Sequence, residues 1–155
     1  MTKETTKRIW IEDSVINYQV GDNVHWTLPI DDLELLGEYT DPNGPYVDDY
    51  FFVFITRPEH RWNEASFYAD VRDEFLNELG KILGSTLTCG LVSSTDYNSR
   101  VMWPPDIEDM QLFEFVPVEA EGDWEKLKRK LIPEYYFAFT NPVRDYLKAH
   151  ENNGV

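Results

Sequence analysis

The sequence has a single cysteine, Cys89, among its 155 residues, so it cannot form an internal disulfide. This excludes a small secreted scaffold held by disulfides, and a reducing compartment, the cytoplasm, is expected. Residues 1–8 are polar and no apolar run follows them, which predicts neither a secretion signal nor a membrane anchor. The sequence also lacks a GxGxxG or Gly-Lys-Ser/Thr motif, which argues against a nucleotide-binding enzyme.

Basic residues are scarce, since 14 Lys and Arg against 29 Asp and Glu give a formal net charge of −15. No Lys or Arg occurs from Ile9 to Thr56, a stretch that contains ten acidic residues. Such a charge repels DNA, RNA and anionic lipid, and it attracts cationic partners within about 8 Å at physiological salt. The sequence therefore predicts neither nucleic acid nor a membrane as a partner.

Large apolar side chains are plentiful, with 42% hydrophobic and 15% aromatic residues. A chain of this length can bury roughly 70% of the surface that its unfolded form exposes. We therefore expect one globular domain over residues 1–155, with frayed ends at 1–6 and 151–155.

The N-terminal half is predicted to be rich in strands, because short runs alternate apolar and polar residues between turn signals. The predicted strands are Arg8–Ile11, Ser14–Val20, Val24–Leu28, Leu33–Thr40 and Asp49–Thr56. The last two form a hairpin, since residues 41–44 place proline and glycine where a turn needs them. Residues 50–55 are apolar on both faces, which predicts a central strand covered on each side.

The second half begins with a predicted amphipathic helix, Asn63–Leu83, whose apolar residues recur every three or four positions. Asn63 can cap this helix and Gly84 can end it. The remaining predicted elements are strands Leu87–Ser94, Arg100–Trp103 and Gln111–Val118, and short helices Asp123–Ile132 and Asn141–His150. The first two of these strands are joined by a turn at 95–99. The fold class is α+β with predominantly antiparallel strands, and the long helix packs on the sheet.

No catalytic, metal-binding or cofactor-binding residue is assigned. Cys89 lies within a predicted strand, where a buried, unreactive thiol is expected. His25 and His60 are expected to be structural or exposed. The acidic residues lack the spacing of a metal site, and residues 41–52 do not continue as a calcium loop.

The acidic residues around the predicted hairpin are the candidate partner-binding site. Carboxylates there can accept lysine and arginine side chains, and tyrosine rings can stack on a guanidinium. The predicted partner-binding residues are Asp31, Asp32, Glu34, Asp41, Tyr46, Asp48, Asp49 and Tyr50. The function predicted from them is that of an acidic protein-binding module, an inhibitor or immunity-type protein that covers the cationic surface of a basic toxin or nuclease.

Two other functions fit the sequence. The first is a small enzyme or ligand-binding domain with an aromatic-lined pocket, in which the acidity serves solubility alone. The second is an adaptor subunit that uses an apolar strand edge or a patch at Trp103. The protein-binding prediction requires the carboxylates to form one face instead of pairing with the basic residues near the C-terminus.

Overall fold

The computed structural model describes residues 6–42, 48–94, 96–117, 122–124, 126–127 and 135–151. It confirms an α+β fold with antiparallel sheets and a strand-rich N-terminal half. The strands are β1 (Lys7–Glu12), β2 (Val15–Val20), β3 (Asn23–Pro29), β4 (Leu33–Thr40), β5 (Tyr50–Thr56), β6 (Arg61–Ser66), β7 (Asn98–Trp103), β8 (Phe113–Pro117) and β9 (Tyr135–Phe139). The helices are α1 (Arg72–Leu83) and α2 (Asn141–Glu151), and Ile30–Asp32 and Pro105–Ile107 form short 3-10 helices.

Three antiparallel sheets organise these strands. β1, β2 and β3 form a meander, the central sheet has the order β6-β5-β4-β7, and β8 pairs with β9. The β4–β5 pairing runs from Leu33 opposite Thr56 to Thr40 opposite Tyr50, which confirms the predicted hairpin. The strands predicted in residues 8–28 are confirmed as well, with ends that differ by one residue in most cases.

One face of the central sheet is covered by the three-stranded sheet and α1. Phe52 and Phe54 on this face belong to one buried cluster with Ile16 of β2 and Phe75 of α1. The Trp26 ring of β3 lies 5.2 Å from the Phe54 ring, centre to centre. Aromatic packing therefore joins the two sheets and the helix in one core.

The opposite face of the central sheet is covered by the antiparallel β8–β9 pair and α2. Val53 and Ile55 on this face share a second buried cluster with Phe113 of β8 and Leu147 of α2. The alternate residues of β5 thus enter two different cores, which confirms the prediction of a central strand covered on each side.

The predicted helix Asn63–Leu83 is wrong over its first part, because residues 61–66 form β6 and the helix begins at Arg72. β5 lies inside the sheet and needs a backbone partner on each edge, and β6 supplies one through pairings from Thr56–Arg61 to Phe51–Ser66. This hairpin pairing, closed by the turn at 57–60, overrides the helical spacing. Val71 in the left-handed conformation, with φ of 57°, precedes the helix, and Gly84 ends it as predicted.

The predicted strand Leu87–Ser94 is also wrong, because none of these described residues belongs to a strand. The segment lies over the central sheet and is attached by side chains of that sheet: the Gly90 N–H donates to the Glu38 carboxylate, and the Leu91 N–H donates to the Tyr50 hydroxyl. β7 consequently pairs with β4 and not with this segment. The alternating pattern of residues 87–94 reflects their partial burial, although these residues do not pair with a strand.

Two of the elements predicted near the C-terminus are confirmed. The predicted helix Asn141–His150 is observed as α2, and the predicted strand Gln111–Val118 is observed as the shorter β8. Residues 123–124 and 126–127 of the predicted helix Asp123–Ile132 are helical, and most of its remainder lies outside the described residues. The ends expected to fray, 1–6 and 151–155, lie almost entirely outside them too.

We expect Phe54→Ala to lower the free energy of unfolding by about 3–5 kcal/mol, because it opens a cavity where the two sheets and α1 meet. Phe54 has no exposed surface. Urea denaturation at neutral pH measures this change, and Val24→Ala is the control, since Val24 is 55% exposed and its truncation should change stability by no more than about 0.5 kcal/mol. A loss below about 1 kcal/mol for Phe54→Ala would contradict this packing.

Candidate partner-binding surface

The central hairpin separates the predicted partner-binding residues into two groups. Asp31, Asp32 and Glu34 lie at the start of β4, whereas Asp41, Asp48, Asp49 and Tyr50 lie where β4 ends and β5 begins. The eight residues of β4 span roughly 23 Å at 3.3 Å per residue. Tyr46 lies outside the described residues. The predicted site is therefore not one continuous face.

Glu34 is inside the protein, with 2% of its surface exposed. Its Oε2 lies 2.8 Å from Nδ1 of His60, which adopts a left-handed backbone with φ of 52°. Oε1 has no hydrogen-bond partner among the described residues. Glu34 thus attaches the turn at 57–60 to β4 and offers no surface to a partner.

Glu38, another acidic residue of β4, is completely buried. Its Oε1 accepts a 2.7 Å hydrogen bond from the Gly90 N–H and lies 3.7 Å from an Arg100 nitrogen. Oε2 has no hydrogen-bond partner in the described part of the chain. Burial raises the pKa of Glu38 above its ordinary value, although the Gly90 N–H and the Arg100 charge act in the opposite direction.

Tyr50 is also buried, with 3% of its surface exposed. Its ring stacks on Phe67 at 4.0 Å between centres, and its hydroxyl accepts the Leu91 N–H. Burial raises the pKa of the hydroxyl, and the nearby Glu38 charge raises it further. Tyr50 thus supports the end of the hairpin from inside, where it cannot stack on a partner's guanidinium.

The remaining predicted residues at this end, Asp41, Asp48 and Asp49, are partly exposed. Asp48 pairs with Lys7 of β1. Asp49 accepts a 2.5 Å hydrogen bond from the Tyr68 hydroxyl, and this bond raises the pKa of Tyr68 to about 12. The Asp41 N–H donates to the Asp49 carbonyl at 2.9 Å, which holds the two residues side by side.

Two residues before β7 join this group. The Thr40 hydroxyl contacts the Asp96 carbonyl at 2.8 Å, so residues 96 and 97 lie beside the end of β4. Tyr68 and Tyr97 are 53% and 44% exposed, which is unusual for rings of this size. We call the group the hairpin-end surface, which consists of Asp41, Asp48, Asp49, Tyr68, Asp96 and Tyr97.

Sequence reasoning missed three members of this surface, Tyr68, Asp96 and Tyr97. It included Tyr68 in the predicted helix Asn63–Leu83, and it assigned residues 95–99 to a turn between two strands. The only local signal was that residues 68–70 and 96–97 each combine a tyrosine with an aspartate. Their position depends on two strand pairings, β6 with β5 across the turn at 57–60 and β7 with β4. The helical spacing of residues 63–83 concealed the first of these pairings.

The opposite end of the hairpin carries mixed charge. Asp31 and Asp32 are exposed on the 3-10 helix, but the backbone N–H of Arg57 donates to the Asp32 carbonyl, and Arg57 itself is exposed. Arg61, also exposed, pairs with Glu59 in the same turn. These cations reduce the negative potential that Asp31 and Asp32 create.

Acidic side chains are also exposed on α1 and at residues 106–109, so charge alone does not distinguish the hairpin-end surface. The distinguishing feature is the pair of exposed tyrosine rings beside the carboxylates. The ion pairs found among the described residues do not join Asp49 to the basic residues of α2.

The other candidate chemical groups among the described residues are metal-ligating side chains, Cys89 and His25. No group of three or more His, Cys, Asp or Glu residues could hold a metal ion there. Cys89 is half-buried outside any strand, and burial raises its pKa to about 11, so the thiol is neutral at physiological pH. His25 is exposed on β3. None of the helices described is long and apolar enough to cross a membrane.

Replacing Glu38 by glutamine is expected to change how stability depends on pH. Folding raises the pKa of the Glu38 carboxyl group, so this group binds more protons in the folded state than in the unfolded state. Its contribution to stability therefore falls as the pH rises from the ordinary pKa of 4.5 through the pKa in the folded state. We therefore expect Glu38→Gln to gain stability relative to the wild type as pH rises from about 4 to about 8.

Urea denaturation across this pH range measures the difference, and Glu78→Gln on the exposed face of α1 is the matched control, because it removes one carboxylate without relieving burial. A stability difference between Glu38→Gln and the wild type that does not vary with pH would show that the Glu38 carboxyl has the same pKa in both states.

Comparison of the chain with protein-family models, with curated proteins and with solved structures finds no match. The function is therefore inferred from the geometry of the protein itself.

Proposed function

We propose that the protein binds a basic protein partner through the hairpin-end surface. The observation that supports this proposal is the grouping of Asp41, Asp48 and Asp49 with the exposed rings of Tyr68 and Tyr97. The other predicted acidic residues are either buried, as Glu34 is, or lie beside exposed arginines at the far end of the hairpin.

The chemistry of the surface suits arginine and lysine side chains. Carboxylates accept charge-assisted hydrogen bonds from a guanidinium, and the exposed tyrosine faces attract cations. The Tyr68 hydroxyl is already bonded to Asp49, which fixes the ring and the carboxylate relative to each other. Such pre-organisation lowers the conformational entropy lost on binding.

The net charge of −15 adds a long-range contribution. Complementary potentials raise association rates and disfavour wrong partners, and the effect weakens as salt increases. A partner with a cationic, phosphate-binding surface, such as a nuclease toxin, matches this field. Occupying that surface would block its substrate, so the proposed role is that of an immunity-type inhibitor.

A matched pair of charge reversals tests the proposal. Asp41→Lys/Asp49→Lys and Asp31→Lys/Asp32→Lys change the net charge equally, but only the first alters the hairpin-end surface. We expect the first variant to slow association with a nonaarginine peptide by about tenfold or more at low salt, and the second to have a smaller effect. Stopped-flow mixing measures both rates, and circular dichroism checks that each variant is folded.

The same variants identify the natural partner by affinity capture from a cell lysate at two salt concentrations. A partner of the proposed kind is basic, is retained by the wild type and by Asp31→Lys/Asp32→Lys, and is lost with Asp41→Lys/Asp49→Lys. Equal effects of the two double variants would refute a localised site. Capture that does not depend on salt would instead favour the adaptor role.

A further inference from the structure

β3 is the outer strand of the three-stranded sheet, with β2 on one side and an open edge on the other. Thr27 lies opposite Asn17 of β2, and three pairs further along the ladder the Ile30 N–H donates to the Ser14 carbonyl. Bonded and non-bonded pairs alternate in an antiparallel ladder, so the N–H and C=O of Thr27 point away from β2. None of the backbone hydrogen bonds in the described part of the chain reaches this outer edge.

The outer edges of β1 and β7 are closed by backbone hydrogen bonds. On β1, the Ile9 N–H donates to the Asp70 carbonyl, and the Asp70 N–H donates to the Lys7 carbonyl. On β7, the N–H and C=O of Val101 bond to the backbone of residues 109–110. Short irregular segments therefore occupy these two edges.

The outer edge of β6 is closed by side chains of the three-stranded sheet. The Ser66 N–H donates to the Tyr18 hydroxyl at 3.2 Å, and the Trp26 indole N–H donates to the Glu64 carbonyl at 2.8 Å. Among the outer strands of the two larger sheets, as far as the structure describes them, β3 is thus the one whose edge stays open.

The sequence of β3 does not protect this edge with charge. Asn23–Pro29 contains no charged residue, in a chain in which 28% of the residues are charged, whereas β1, β6 and β7 each contain an arginine. Val24, His25 and Thr27 are exposed. An open, uncharged edge is a template for another strand, and proteins usually block such edges.

The length and the charge of the edge restrict what can pair with it. The ladder shifts register at His25, and Pro29 ends the strand, so only a short segment fits. Exposed carboxylates flank both ends: Asp22 precedes β3, and Asp13 lies beside its far end, next to the residue that bonds to Ile30. A second copy of this chain, with a net charge of −15, is repelled, whereas a segment with basic ends is attracted.

We propose that β3 binds a short extended segment of another protein by strand addition, and that this segment carries lysine or arginine at its ends. The segment runs antiparallel to β3, the more stable pairing, and its backbone bonds to Thr27. Its apolar side chains lie beside Trp26 and Leu28 on the core side, and its polar side chains lie beside Thr27. β3 contains none of the residues of the hairpin-end surface, so the two interactions are independent.

The peptide Lys-Val-Thr-Val-Thr-Val-Lys is the probe, because its valines suit the core side and its threonines the outer side. Its threonine N–H groups then face β3, and its valine N–H groups face solvent. We expect N-methylation of the threonines to abolish binding and N-methylation of the valines to preserve it. Amide NMR titration measures both, with the largest shifts at residues 24–28. No binding of the parent peptide, equal binding of the two methylated peptides, or shifts centred elsewhere would overturn the proposal.

Thr27→Pro removes an N–H that faces away from β2, a position at which edge strands tolerate proline. We expect it to weaken peptide binding by about tenfold, whereas Thr27→Val, the matched control, keeps the N–H and binds normally. Circular dichroism checks that both variants are folded, and the methylated peptides do not depend on this check. Equal affinity of the two folded variants would refute pairing at Thr27.

Two further measurements separate this interaction from its alternatives. A wild-type dimer in analytical ultracentrifugation that is lost in Thr27→Pro would show that a second copy occupies the edge, which would overturn the assigned partner. Asp41→Lys/Asp49→Lys should bind the peptide within about twofold of the wild type at physiological salt, so strand addition and the hairpin-end surface fail separately.

Discussion

The packing of β4 and β5 on both faces is the constraint on which the rest of the structure depends. Both strands lie inside the central sheet, and alternate residues of β5 enter two separate cores. A strand pair that is apolar on both sides requires a covering layer on each side. One layer consists of the three-stranded sheet and α1, and the other consists of the β8–β9 pair and α2. β6 and β7 then satisfy the backbone groups at the two outer edges of the pair.

This arrangement also determines which carboxylates of the hairpin are buried and which are exposed. Because both faces of the β4–β5 hairpin are covered, the carboxylates within β4 are buried, and the exposed carboxylates lie beyond the two ends of this strand. Glu34 and Glu38 are buried and each attaches an irregular segment to the sheet, residues 57–60 in one case and 86–94 in the other. The exposed carboxylates of this part of the chain lie at the two ends of the hairpin, and among the described residues the end at Asp41 and Asp49 combines them with exposed tyrosine rings.

Local sequence patterns correctly predicted the elements that short-range interactions determine. The β1–β3 meander and the β4–β5 hairpin follow from alternation and turn chemistry, and the predicted helix Asn141–His150 matches α2 to within one residue. β6 was missed because residues 63–83 carry a helical spacing, which pairing with β5 across the turn at 57–60 overrides. The composition of the hairpin-end surface was predicted in part: charge in the sequence marked Asp41, Asp48 and Asp49, but it could not show that Glu34 is buried or that Tyr68 and Tyr97 lie at the same end of the hairpin.

The most direct test of the partner-binding proposal is to map where a cationic probe binds, by following backbone amide NMR signals during titration with nonaarginine at low salt. We expect the largest shifts at residues 41, 48–49, 68 and 96–97, with small shifts at 31–32. Shifts of similar size at both ends of the hairpin, or spread over the exposed acidic residues of α1, would contradict it.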